Sequence, residues 1–143
     1  MSAEENKDIV RRLIEEVWNA HDHGAIDSLV AQDYFNHAAV AEHRRGIEGF
    51  RHIERWLEAA FSDSRFDIED IVAEGNMVVI RGTASGTHDG EFMGNPPTGR
   101  RFSVEQMHWL RVADGKVAEH WAVRDDMGHA RQLALIPEPG AAR

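Results

Sequence analysis

The sequence predicts an α+β fold in which helices come first and an antiparallel sheet follows. Three observations carry that prediction. Apolar residues recur at helical spacing as far as Phe61, they alternate with a period of two from Phe66 onward, and Asp114-Gly115 joins two alternating runs as a tight hairpin would. Helices followed by a run of strands gather on one face of a curved sheet. No repeat or linker interrupts the 143 residues, so one domain over 1–143 is expected, burying roughly 68–70% of its unfolded surface.

Each element has its own signal. Ser2-Ala3-Glu4-Glu5 fits a capping box, and Ile9, Val10, Leu13, Ile14, Val17 and Trp18 lie on one stripe of a first helix ending near His21 to Gly24. Ala25, Ile26, Leu29 and Val30 indicate a short second helix, followed by a brief extended segment, Tyr34-Phe35-Asn36-His37. A third helix from Gly46 carries Ile47, Phe50, Ile53, Leu57, Ala60 and Phe61, and Ser62-Asp63-Ser64 stops it. A strand through Phe66, Ile68, Ile71 and Val72 turns at Gly75-Asn76 into a second from Met77 to His88. Asp89 to Arg100 is rich in Gly and Pro and reads as a loop over a cavity mouth. Strands from Arg101 to Val112 and from Lys116 to Asp125 complete the sheet, and Asp126 is placed to cap a last short helix ended by Pro137.

Composition excludes several function classes. A net charge of −9, from 25 acidic and 16 basic residues, opposes a nucleic-acid surface, which needs clustered Lys and Arg. The start MSAEENKD has no apolar h-region and no long apolar run follows, so a cytoplasmic protein without a membrane span is expected. Without cysteine there is no disulfide, thiolate nucleophile or Cys-bound zinc, and the nine histidines lack a metal-binding spacing, so no metal is expected.

If Asp114 and Gly115 are the two loop residues, strict alternation pairs Val112 with Val117, Leu110 with Glu119 and His108 with Trp121. Asp125 then shares the face of His108 and Trp121. That face is apolar with a few polar groups set into it, the character of a small-molecule pocket. The opposite face pairs Met107 with Ala122 and Trp109 with His120, with Glu105 beside Arg124. Such an apolar patch rimmed by an ion pair suits a homodimer interface.

Four segments together resemble the SnoaL-like polyketide cyclases, also called ester-cyclase-like proteins. They are Asn36-His37 with Gly46-Ile47-Glu48-Gly49; Gly86-Thr87-His88 with Gly94 and Pro96-Pro97-Thr98-Gly99-Arg100; Arg111 to Lys116; and Glu119-His120-Trp121 with Asp125, Gly128 and Arg131-Gln132-Leu133. The resemblance implies the cone-shaped nuclear transport factor 2-like fold, with a pocket between helices and sheet and no cofactor. It also implies an aspartate acting as acid/base in the intramolecular aldol ring closure of a polyketide ester. By position Asp125 matches that aspartate, and the adjacent Asp126 leaves a one-residue ambiguity. Alternation selects Asp125 for the pocket and leaves Asp126 to cap the helix.

An aldol closure needs a base for the proton beside a carbonyl and a donor for the developing oxygen charge. An apolar setting beside Trp121 raises an aspartate toward working pH, and His108 is the candidate for steering Asp125 or protonating the substrate oxygen. Asn36 and His37 are candidates for holding a carbonyl from the opposite wall and His88 from the rim, with Tyr34, Trp56, Met93 and Trp121 as lining. Blander roles exist for each: Asp125 as a cap or partner of Arg124, His108 as a core histidine, Asn36-His37 as a turn. The substrate expected is a small, apolar, carbonyl-bearing molecule. The alternatives are a non-catalytic binding protein of the same fold, a ketosteroid-isomerase-like enzyme, or an epoxide-hydrolase-like one, whose Asp-Arg-Asp set is opposed by Arg124 pointing away from Asp125.

Overall fold

A computed structural model of the chain describes residues 1–137. Helix α1 (Ala3–Arg12) opens on the capping box: the Ser2 hydroxyl accepts from the Glu5 N–H, and the Glu5 carboxylate accepts from the Ser2 N–H. The turns then widen into a π-helix, Leu13–Asn19, in which Leu13, Ile14 and Val17 are buried. Trp18 lies within it, its ring edge-on to His108 at 4.9 Å.

The second helix is a single turn, α2 (Ile26–Leu29), because Val30 is taken into strand β1 (Val30–Asn36) by parallel pairing with Val117. That partner is far along the chain, so local periodicity carries no sign of it. Helix α3 (Gly46–Ala60) runs as expected. The sheet adds β2 (Arg65–Glu74), β3 (Met77–Thr87), β4 (Arg101–Ala113) and β5 (Lys116–Arg124), and helix α4 (Asp126–Gln132) follows. Its five strands are ordered β1-β5-β4-β3-β2, antiparallel except for β1 against β5.

The main core lies between the inner sheet face and the first helices, around Val10, Leu13, Ile14, Ile26, Leu29, Phe50, Ile80, Leu110 and Val117. A second cluster, Ala60, Phe61, Phe102, Val104 and Leu133, fastens α4 to the far end of β4. The loop 89–100 is tied down there: the Asp89 and Gly90 N–H groups donate to the Ala60 carbonyl, and Phe92 packs against Phe61 and Trp56.

The β4–β5 hairpin departs from strict alternation. Asp114 and Gly115 both have positive φ, 51° and 77°, as a primed hairpin turn requires, and Ala113 faces Lys116 and Val112 faces Val117 as expected. Ala118 is then inserted as a β-bulge, and the pairs beyond it are Arg111 with Glu119, Leu110 with His120, Trp109 with Trp121 and His108 with Ala122. A one-residue slip exchanges the faces. His120, Ala122 and Arg124 therefore join His108 on the inner face, while Trp121 joins Trp109 and Met107 outside.

Two further expectations change with the register. The outer face pairs Met107 with Val123 and Trp109 with Trp121, and Glu105 contacts Arg81 at 3.2 Å instead of Arg124. The cap of α4 is Asp125, not Asp126: the Asp125 carboxylate accepts from the Gly128 N–H at 2.8 Å. A Cβ at Gly128 would sit 2.3 Å from Asp125 Oδ2, so a larger residue there would displace the capping carboxylate.

Candidate active site

Strand β4 lays Phe102, Val104, Gln106, His108, Leu110 and Val112 along the inner face, so an amide and an imidazole interrupt an otherwise apolar row. The bulge sets His120 beside them, and β1 contributes Tyr34 from the neighbouring strand. These four side chains form one chain of hydrogen bonds. Tyr34 Oη lies 3.0 Å from His120 Nδ1, His120 Nε2 lies 2.8 Å from His108 Nδ1, and His108 Nε2 lies 2.8 Å from Gln106 Oε1.

Satisfying every atom gives the chain a direction. The Gln106 carbonyl only accepts, so His108 Nε2 carries a proton and its Nδ1 accepts; His120 Nε2 then donates and its Nδ1 accepts from the Tyr34 hydroxyl. Both imidazoles are neutral in this arrangement. Burial, with the positive charge of Arg124 adding to it, pushes His120 down to about 3 and holds His108 well below the usual histidine range. Burial raises the Tyr34 phenol, and the charge of Glu54 adds to that.

The helices close over this chain incompletely. Trp18, Gln106 and Ala122 lie against the inner face, and Glu54 and Leu57 on α3, yet all keep partial contact with solvent. Tyr34, His108 and His120 are buried, so it is the Gln106 end of the hydrogen-bonded chain that meets solvent. The Trp18 indole N–H is buried and finds no acceptor among the described residues. Glu54 is densely surrounded by protein, and that burial, followed by the charge of Glu58, pushes its carboxyl up to about 8. Among the described residues no cluster of three or more His, Asp or Glu is arranged to hold a metal.

The structure brings some of the expected site residues together and separates others. His108 and Tyr34 meet through His120 in the buried hydrogen-bonded chain. Asn36 is buried on the Tyr34 side of β1, its Oδ1 accepting from the Ala38 N–H at 2.9 Å. Asp125 is exposed, lies just past the end of β5 and serves as the cap of α4, away from the hydrogen-bonded chain. The bulge puts Trp121 outside, stacked on His37 at 4.7 Å, and His37 contacts Glu119 at 2.6 Å. His37 therefore does not join Asn36 in an opposite wall.

His88 is fully buried, its Nδ1 accepting from the Thr98 N–H at 3.2 Å, between the Phe61 and Phe92 rings. Trp56 is 40% exposed beside Phe92, and Met93 is 71% exposed on the loop. Sequence reasoning passed over Gln106, His120 and Glu54. The signal for Glu54 was present: it stands one turn after Phe50 and one turn before Leu57, within the apolar stripe of α3.

A profile of SnoaL-like polyketide cyclases matches residues 8–133. The chain belongs to the SnoaL-like polyketide cyclase family. Among its relatives, this SnoaL-like cyclase is 37% identical over 131 residues to the aklanonic acid methyl ester cyclase DauD of Streptomyces sp. strain C5, covering 88% of the chain and 80% of DauD. It is 37% identical over 111 residues to the nogalonic acid methyl ester cyclase of Streptomyces nogalater, covering 76% of the chain and 82% of that protein. The crystal structure of wild-type IdmH from Streptomyces antibioticus superimposes with a TM-score of 0.78 at 36% identity, over 90% of the chain and 98% of IdmH. The relatives thus resemble this SnoaL-like cyclase in sequence, and the solved neighbour shares its α+β architecture as well.

Proposed function

We propose that a cleft between the helices and the inner sheet face opens onto this hydrogen-bonded chain and carries out cofactor-free acid/base chemistry on a small, apolar, carbonyl-bearing ester, in the form of an intramolecular aldol ring closure. The observation that carries this reading is the directed Tyr34–His120–His108–Gln106 chain, set neutral into an apolar face in a chain whose relatives are named ester cyclases. With its carbonyl engaged by His108, Gln106 keeps an amide N–H to offer the cleft, and the Trp18 indole N–H is a second donor. Two fixed donors beside an apolar wall suit a substrate oxygen that gains negative charge as the new carbon–carbon bond forms. Tyr34 and Asn36 line the inner wall, His88 supports the loop, and Trp56 and Met93 form the rim. The protein acts as a single domain in the cytoplasm, and a homodimer forms through the outer sheet face.

The test is ring closure of aklanonic or nogalonic acid methyl ester, followed by product formation with the wild-type protein and with Gln106→Leu. Ring closure by the wild type, slowed at least about 10-fold by the variant, supports the reading. Ester binding without turnover by the wild type defeats it in favour of a binding protein.

A further inference from the structure

We propose that Glu54 is the group that exchanges protons with the substrate, supplying from α3 the carboxylate that β5 does not present to the cleft. The proposal rests on the ring-closure reading above and deepens it. Its first support is position. Ile47, Phe50, Leu57 and Phe61 make the stripe that α3 and its end turn toward the sheet, and Glu54 falls in the middle of it. An acidic residue in such a stripe opposes folding unless it is paired, yet among the described residues nothing hydrogen-bonds or ion-pairs its carboxyl. Its helix neighbours are engaged: Glu58 contacts His23 at 2.5 Å and Glu48 contacts Arg51 at 3.3 Å.

The second support is what surrounds it. Phe50, one turn before Glu54 on α3, packs edge-on against Tyr34 at 5.3 Å, and Tyr34 is the terminal member of the hydrogen-bonded chain. Glu54 thus stands where the polar chain, the apolar stripe and solvent meet. The third support is elimination. Beyond the bulge the inward positions of β5 are His120, Ala122 and Arg124; Asp125 caps α4, and Glu119 is held by Arg111 and His37 on the outer side.

The step balances without a co-reactant. The Glu54 carboxylate takes the proton from the carbon beside the ester carbonyl, and the C–H electron pair becomes the enolate. The enolate carbon attacks a ketone carbon of the same molecule, forming the carbon–carbon bond and an alkoxide. The Glu54 carboxyl then returns its proton to the alkoxide, leaving a hydroxyl and the original carboxylate. With a carboxyl pushed up to about 8, the basic form appears as pH rises, so kcat/KM climbs toward that value. The titratable groups facing it are Tyr34 from β1 and Glu58 from its own helix.

The experiment uses aklanonic acid methyl ester in D2O, with NMR following deuterium exchange beside the ester carbonyl and chromatography following ring closure. Wild type, Glu54→Gln and Glu54→Asp are compared, with circular dichroism as the folding control. The expected result is a loss of at least about 100-fold in both activities for Glu54→Gln, ester binding within a few-fold of wild type, and partial recovery in Glu54→Asp. Exchange and closure by Glu54→Gln within about threefold of wild type overturns the role of Glu54 and leaves the ring-closure reading standing. Exchange without closure by the wild type, lost in Glu54→Gln, upholds the role of Glu54 and overturns ring closure, and a wild type inert in both assays overturns both. Should Glu54→Gln not fold, Glu54→Asp decides: the rising limb of the pH profile moves if the proposal holds and stays if it does not.

Discussion

At the scale of single residues, the inner face contains groups whose protonation is set by burial, and they respond to pH in opposite directions. His120 is pushed from the usual 6.5 to about 3, so between those values the unfolded chain binds a proton that the folded chain does not. Stability from neutral His120, and from His108 shifted the same way, is fully present above 6.5 and is lost as pH falls toward 3. Glu54 has the reverse sign. Its folded carboxyl holds a proton up to about 8 while the unfolded one releases it near 4.5, so stability falls as pH rises through that interval. Thermal melts are therefore expected to show Glu54→Gln more stable than wild type at pH 9, with a smaller difference at pH 5. An equal effect at both values would mean that the Glu54 carboxyl is not buried in the folded state.

At the scale of elements, the end of β5 and the start of α4 decide what the site contains. Asp125 caps α4 through the Gly128 N–H, and Asp126 sits exposed in the first turn at 3.6 Å from Arg124. Asp125→Ala is expected to cost about 1 kcal/mol in chemical denaturation, and Asp126→Ala at most a few tenths. The reverse order would return the cap to Asp126 and Asp125 to the strand. The bulge at Ala118 is the second decisive element. Deleting Ala118 should remove the bulge while leaving His120 opposite Leu110, inward and hydrogen-bonded to Tyr34 and His108, because the pairs beyond the bulge keep their register; a folded variant with ester binding near that of wild type is the expected outcome. Loss of ester binding in a folded deletion variant would show that the bulge itself, beyond the inward placing of His120, shapes the site.

At the scale of the whole molecule, the sheet has a wet side that is unusually apolar: Met107, Trp109, Val123 and Val72 are 46%, 50%, 76% and 60% exposed. Arg81, bridging Asp70, Glu69 and Glu105, rims it. If the proposed homodimer forms there, Trp109→Glu is expected to convert a dimeric sedimentation coefficient to a monomeric one while secondary structure stays unchanged. A monomeric wild type at micromolar concentration would remove the proposal.

Periodicity, capping and the Asp114-Gly115 turn were enough by themselves to determine the helices-then-sheet order, the span of α3, the hairpin's tip and the inward placing of His108, because each depends on neighbours a few residues away. The order and spacing of the family segments added the fold class. Only the tertiary structure decided which face of β5 looks inward. A bulge is set by what the strand must bury on both sides: Val117 against the core near the turn, and His120 against Tyr34 and His108 further along. Strict alternation cannot meet both demands, and one extra small residue does. For the same reason Val30 went to a strand whose partner is Val117, and Glu54 acquired its role from a sheet that its own helix does not encode.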